Sequence, residues 1–258
     1  MSIPFSLEGK RGIVLGIANR HSIAYGCAEV LSEQGAELCI TYLNEKSKSF
    51  VSPLAEQLNS RLFLPCDVSN PGELESVFNE AEKVWGTIDF VIHSIAWSPL
   101  DELHGRLVDS TSEGFSKAMD ISCHSFIRAS RLAESLMKEK GGTLITMTYY
   151  GSEKVVDHYN MMGPIKAALE SSVRYLAAEL GASNIRVHSV SPGPMPTRAA
   201  SGIEAFDGLM SDAVERSPLH RLGSPDDVGR LVAFLISDWA KTQTGSQMFV
   251  DAGHHIMA

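Results

Sequence analysis

Along the chain, short runs of apolar and β-branched residues alternate with longer segments whose apolar positions recur at helical spacing. The runs at residues 11–17, 36–42, 61–68, 89–95, 143–148, 185–190 and 247–251 read as strands. Between them, residues 22–34, 45–59, 71–85, 111–140, 160–180 and 224–237 read as helices. Gly35 and the pair Gly141-Gly142 act as stop signals, and Pro71 suits a first helical turn. Strand and helix alternating throughout predict a parallel sheet of about seven strands, with helices on both faces and right-handed crossovers. No linker, low-complexity tract or short repeat breaks the pattern, so residues 1–258 read as a single doubly wound α/β domain.

Composition narrows the class of protein. Of the 258 residues, 44% are apolar and 21% charged, which excludes a disordered chain, a fibre and a small disulfide scaffold. Acidic residues outnumber basic ones 31 to 22, a formal charge of −9, which argues against nucleic acid or an anionic membrane as the main partner. Cys27, Cys39, Cys66 and Cys123 form no CxxC pair and have no metal-ligand spacing, so buried reduced thiols and no metal are expected. No basic segment precedes an apolar core at the start, and no run of about 18 apolar residues occurs. A cytoplasmic location is therefore expected.

Ligands of such sheets bind beyond the carboxyl ends of the strands. The first strand leads into Gly16-Ile17-Ala18-Asn19-Arg20-His21-Ser22-Ile23-Ala24-Tyr25-Gly26. Gly16 allows a sharp turn, and the helix start offers free N–H groups and a positive dipole end to a pyrophosphate. This is not G-x-G-x-x-G, and alone it reads equally well as a tight strand-to-helix turn. Other strand ends add to it. Asp67, in Cys66-Asp67-Val68, can accept from adenine. His93-Ser94-Ile95-Ala96 offers a ribose and adenine wall. Thr197, in Ser191-Pro192-Gly193-Pro194-Met195-Pro196-Thr197, can donate to a carboxamide or phosphate. Together they favour a Rossmann-type dinucleotide site.

The fifth strand ends at Thr148-Tyr149-Tyr150-Gly151, and a short loop leads to Tyr159 and, seven residues on, Lys166. On one helix that spacing puts both side chains on one face, separated by ~10.5 Å of rise. The lysine would lower the phenol pKa and hold a ribose hydroxyl, and the phenol would donate to a developing oxyanion. A core tyrosine with a surface lysine is the plainer alternative. Pro164 would clash with the Asn160 carbonyl in a regular helix, so an irregular first turn or a kink is expected at Tyr159.

The chain resembles the short-chain dehydrogenase/reductase superfamily and, within it, the enoyl-[acyl-carrier-protein] reductases of bacterial fatty-acid synthesis. The superfamily mostly carries Y-x3-K, where this chain has Gly163; the enoyl reductases carry Y-x6-K and a second tyrosine ten residues earlier, matched by Tyr149. The first turn, His93-Ser94-Ile95, Asp120-Ile121-Ser122 and Ala199-Ala200-Ser201-Gly202-Ile203 also match, over essentially the whole chain. An enoyl thioester takes hydride at its β carbon while negative charge develops on the more distant carbonyl oxygen, which a longer Tyr–Lys spacing suits. The resemblance implies Tyr159, Lys166 and Tyr149 as catalytic residues. It implies a cofactor held by Gly16, Ser22, Ile23, Leu43, Asp67, Val68, Ser94, Ile95, Ala96, Lys166, Pro194, Met195 and Thr197. Substrate would meet Trp97, Ser98, Tyr149, Tyr159, Met162, Ile203 and Phe206, under a covering segment at about residues 194–216.

Some positions depart from the family pattern. Ala96-Trp97 stands where glycine and Phe or Tyr are frequent, the loop after the sixth strand is richer in proline, and Leu43 replaces a residue that is often polar. Glu204, Asp207, Asp212 and Glu215 lie where relatives carry basic residues facing an acidic carrier protein. The implied substrate is an acyl thioester on acyl carrier protein, or on coenzyme A. NADH is favoured, because no arginine ends the second strand to pair with a 2′-phosphate, although Arg20 and Lys46 leave NADPH open. A carbonyl reductase of the same superfamily and a non-catalytic nucleotide sensor are the alternatives. Residues 111–140 and 167–180 carry more apolar positions than one sheet-facing stripe needs, which with the resemblance implies a homotetramer.

Overall fold

The computed structural model describes residues 5–197 and 206–257. Seven parallel strands are observed: β1 (Arg11–Leu15), β2 (Glu37–Tyr42), β3 (Leu62–Pro65), β4 (Phe90–His93), β5 (Gly142–Met147), β6 (Ile185–Pro192) and β7 (Gln247–Val250), in the order β3-β2-β1-β4-β5-β6-β7. The order reverses between β1 and β4, whose register pairs Leu15 with His93, so the crevice of a doubly wound sheet opens there.

Both faces of the sheet are covered. Ile13, Leu15, Val91 and Leu144 point to one core and Val14, Ile92, Ile145 and Val190 to the other, the alternation expected of central strands. On the first face lie α3 (Glu73–Trp85), α6 (Ser125–Met137) and α7 (Met162–Leu180). On the second lie α1 (Ile23–Glu33), α2 (Glu45–Gln57) and α9 (Pro225–Ile236). The described residues also include α4 (Leu100–His104), α5 (Ser112–Met119) and α8 (Phe206–Arg216).

Several elements differ from the expectations. The helix expected over residues 111–140 is two helices, α5 and α6, joined by a π-helical turn at Asp120–His124. Apolar periodicity runs on through a π turn, which is why the pattern did not reveal it; such turns gather at functional sites. Pro71 lies outside the third helix, which starts at Glu73 after Gly72 in a left-handed conformation. β3 stops at Pro65, so Cys66-Asp67-Val68 forms the loop beyond it. β6 runs on through Ser191 and Pro192, because Pro192 stands at its last position. The short helix α4 was not anticipated. All four cysteines are buried and unpaired, and burial raises their thiol pKa values, as inert core thiols require.

Candidate active site

The first turn is built around two short-range devices. Gly16 has φ +106°, and a Cβ there would lie 2.1 Å from the Ser94 carbonyl oxygen, so the turn closes onto the end of β4 only because no side chain intervenes. Ser22 is buried, and its hydroxyl accepts from the amides of Ala18 (3.0 Å) and Asn19 (3.1 Å) instead of capping α1 forward. The first turn of α1 contains no acidic residue. Its leading amides have no partner within the helix, and the positive end of its dipole is not neutralised by its own residues. That arrangement accepts an anion of pyrophosphate type.

The other expected cofactor positions lie just beyond the carboxyl ends of β2, β3, β4 and β6. Ser94 and Ile95 are half-buried and Ala96 exposed, immediately past β4. Asp67 is half-buried beyond β3; its carboxylate accepts from the Ser69 amide and hydroxyl, and its own amide donates to Glu73 (2.7 Å). Val68 is buried, its carbonyl tied to Arg128. Leu43 is 53% exposed, one residue before Asn44 caps α2. Pro194 and Met195 are buried after β6, and the Thr197 amide donates to the Met195 carbonyl (2.7 Å).

Tyr159 and Lys166 do not share a helix. The helix expected from residue 160 begins at Met162, Asn160 has φ +38°, and Tyr159 lies in the turn before it, its carbonyl accepting from the Met162 amide. Pro164 is the third residue of α7, within the first turn, where a missing N–H costs nothing. The irregularity expected of Pro164 is therefore a late helix start. Gly163 packs against the preceding turn: a Cβ on it would lie 2.9 Å from the Gly151 carbonyl oxygen.

Both residues are buried, Tyr159 at 8% exposure and Lys166 at 4%. The Lys166 Nζ donates to the Met147 carbonyl (2.8 Å) at the end of β5. Burial lowers the lysine pKa to about 8. The phenol of Tyr159 is raised rather than lowered, by burial first and by the Glu170 carboxylate second. This differs from the expected pKa-lowering pair: burial and the Glu170 carboxylate govern the phenol, which stays a donor across the neutral range. Tyr149 lies against Tyr159 (ring centroids 5.0 Å apart, 67°) and against Tyr150 (4.8 Å, 84°). Tyr150 in turn meets His254, with a 3.2 Å contact between its hydroxyl and Nε2.

The expected substrate positions lie past β4, at the start of α7 and at the start of α8. Trp97 is 39% exposed, and the Ser122 hydroxyl clamps its backbone by accepting from its amide (2.8 Å) and donating to its carbonyl (2.9 Å). Ser98 and Phe206 are half-buried and Met162 is buried. Ile203 and residues 198–205 as a whole lie outside the described residues.

Four polar residues that the sequence reading passed over, Ser125, Thr146, Ser152 and Glu170, support this site together with His93 and Thr148. His93 is fully buried at the end of β4, with its pKa lowered to about 3, chiefly by burial. The Ser125 hydroxyl donates to the Ile121 carbonyl (2.6 Å), so His93 Nε2 donates to Ser125 (2.7 Å) and Nδ1 accepts from Thr146 (3.0 Å). This neutral ring ties β4 and β5 to the end of the π turn. On α7, the Glu170 carboxylate accepts from Thr148 (2.5 Å) and Ser152 (2.6 Å). Glu170 could have been found from sequence: it is a carboxylate one turn beyond Lys166 on a face otherwise made of Ile165, Leu169 and Val173.

A doubly wound sheet with an anion-receptive first turn, and a buried Tyr–Lys pair beyond β5, is the architecture of the short-chain dehydrogenase/reductase class. A family model described as Enoyl-(Acyl carrier protein) reductase matches residues 16–255. The enoyl-[acyl-carrier-protein] reductase [NADH] 1 of Rhizobium meliloti is 45% identical over 249 residues, 96% of this chain and 91% of that one. The Bacillus subtilis enoyl-[acyl-carrier-protein] reductase [NADH] FabI is 43% identical over 256 residues, 98% and 99% of the two chains. Among solved structures, the Anaplasma phagocytophilum reductase in complex with NAD superposes with TM-score 0.93 at 45% identity, covering 97% of this chain and 95% of that one. The Bacillus cereus enzyme with NADP+ and indole naphthyridinone gives 0.95 at 42% identity, covering 98% of each. This chain belongs to the enoyl-(acyl carrier protein) reductase family.

Proposed function

We propose that the chain reduces the trans-2 carbon–carbon double bond of an enoyl thioester, with NADH as the favoured donor, in fatty-acid biosynthesis. The observation that carries this reading is the buried Tyr159, backed by Tyr149 and set off from Lys166 by a late helix start. The residues present fit a dinucleotide: the Gly16 turn and the unneutralised start of α1 would take the pyrophosphate. Asp67 and Val68 would take the adenine, with Leu43 near its ribose. Ser94, Ile95 and Ala96 would form a wall, and Pro194, Met195 and Thr197 would take the carboxamide side.

The reduced nicotinamide, when bound, supplies hydride to the β carbon of the substrate. Tyr159, kept protonated by burial, donates a hydrogen bond to the thioester oxygen, where charge accumulates, and so stabilises the transition state more than the ground state. Lys166 has three N–H donors and spends one on the Met147 carbonyl, leaving two for a ribose hydroxyl. Tyr149 fills the site beside the phenol and excludes water. Trp97, Ser98, Met162, Ile203 and Phe206 line the acyl path, and residues 194–216 cover it.

The carrier is acyl carrier protein in this reading, with coenzyme A as the competing thioester. The first turn of α8 contains Asp207, and Asp212 and Glu215 follow, so an acidic carrier would approach against like charge. The protein acts as a homotetramer in the cytoplasm. No helix among the described residues is long and apolar enough to cross a membrane. Phe115, Met119, Ile127 and Ala168 remain only partly buried on α5, α6 and α7, as faces awaiting a second copy would be.

The test is oxidation of NADH by the purified protein, followed at 340 nm, with trans-2-enoyl thioesters of both carriers. Reduction of 3-oxoacyl thioesters without reduction of enoyl ones would overturn the reading in favour of a carbonyl reductase.

A further inference from the structure

Lys166 presents a charge problem that its contacts do not solve. Its ammonium is 4% exposed and bonded to a neutral carbonyl, and among the described residues no carboxylate stands within ion-pair distance of it. A buried cation is costly unless a counter-charge or several acceptors compensate it. The groups facing it from neighbouring elements do not supply one. From the π turn comes Cys123, a thiol kept neutral by burial, and from β4 comes His93, held neutral. The remaining group is Glu170, one turn further along α7, on the same face. It is 6% exposed, and two hydroxyl donors, Thr148 from the end of β5 and Ser152 from the Tyr150–Ser152 turn, converge on one of its oxygens. Two O–H donors on one oxygen favour the ionised form of that acceptor. Burial raises the Glu170 pKa and Glu153 adds to that, while the hydrogen bonds from Ser152 and Thr148, and Lys166, pull it back down.

We propose that Glu170 is a positioning residue for the reaction. Its carboxylate is the buried counter-charge of Lys166, and through Ser152 it fixes the turn whose Gly151 bears on the Tyr159 ring. The two functions are joined because a single carboxylate on the lysine's own helix reaches the end of β5 and the turn. The proposal rests on the reading of Lys166 as a residue of the reductase site. Without Glu170, a lysine already lowered to about 8 would lose its cationic form at a lower pH still.

Glu170→Gln tests this, because the amide oxygen still accepts from Thr148 and Ser152 while the charge is gone. In protein labelled with 13C-lysine, the Lys166 Cε resonance, assigned with Lys166→Met, is titrated by NMR in both forms. The midpoint is expected to fall by about one pH unit in the Gln variant. The basic limb of kcat/KM with an enoyl thioester should move with it. An unchanged midpoint overturns the proposal, and so does a shifted midpoint that leaves the basic limb in place. If the Gln variant does not fold, Glu170→Asp, whose carboxylate is withdrawn by one methylene, must shift the midpoint in the same direction by a smaller amount; no shift overturns the proposal. The NMR readout needs no turnover, so a failure of the reductase reading remains distinguishable from a failure of the Glu170 proposal.

Discussion

Gly163 and Gly151 meet backbone to backbone: a side-chain carbon on Gly163 would lie 2.9 Å from the Gly151 carbonyl oxygen. This contact excludes any side chain four residues after Tyr159, where most of the superfamily has its lysine. It brings the start of α7 against the Tyr150–Ser152 turn, and that turn bears on the phenol. A Cβ on Gly151 would approach the Tyr159 ring carbons Cδ1 and Cε1 to 2.6 and 3.0 Å.

Gly151→Ala should therefore displace the Tyr159 ring. A shift of about 1 Å at a reacting group can cost ~100-fold. The expected outcome is a loss of kcat of ten- to one-hundredfold, with the circular dichroism spectrum retained. Wild-type turnover in this variant would mean that the turn does not place the phenol.

Tyr159→Phe should lower kcat by about 100- to 1,000-fold and leave the KM for NADH nearly unchanged, because a transition-state hydrogen bond is lost. Lys166→Ala should in addition raise the KM for NADH. Steady-state kinetics with both substrates varied separates the two patterns, and a fully active Phe variant would remove the phenol from the mechanism.

The cofactor preference should favour NADH by at least about tenfold in kcat/KM. The end of β2 runs into Leu43 and Asn44, and α2 opens with Glu45, a carboxylate that would repel a 2′-phosphate. Two of the nearby cations are engaged: Lys48 with Glu45 (3.3 Å) and Arg20 with Gln57 (3.0 Å). Parallel assays with NADH and NADPH decide this; a preference for NADPH would show that Arg20 or Lys46 is recruited to the phosphate.

Acid should destabilise the fold through two buried histidines. Burial holds His93 at about 3 and His188 at about 4, with the Arg186 guanidinium adding to the effect on His188. Both lie below the ordinary value of 6.5, so the unfolded chain binds more protons, and stability present above pH 6.5 is lost as pH falls toward 4. Each should contribute roughly 2 kcal/mol of loss between pH 7 and 5. His188→Phe should flatten the fall in urea-unfolding free energy over that interval; a slope equal to wild type would exclude His188 as one source.

Light scattering at micromolar concentration should give the mass of four chains. A mass of one chain would leave the half-buried Phe115, Met119 and Ile127 to packing within the monomer, and a mass of two would retain one of the two interfaces.

Alternation of strand and helix and both-face burial of the strands were legible in the sequence, as was the family, from its motifs. They follow from local periodicity and from residue types at fixed offsets. The pairing of Tyr159 with Lys166 was legible as a spacing but not as a geometry. A seven-residue interval predicts two turns of one helix, whereas the chain enters α7 late because Asn160 turns left-handed and Gly163 must abut Gly151. The π turn at Asp120–His124 was hidden because one extra residue in a turn leaves an apolar pattern nearly intact. Only the tertiary structure decided the protonation of the site. Burial and the Glu170 carboxylate raise the phenol where a neighbouring lysine alone would have lowered it. Desolvation depends on everything packed around a group, including strands and turns far away in the chain, and no local pattern of residues encodes it.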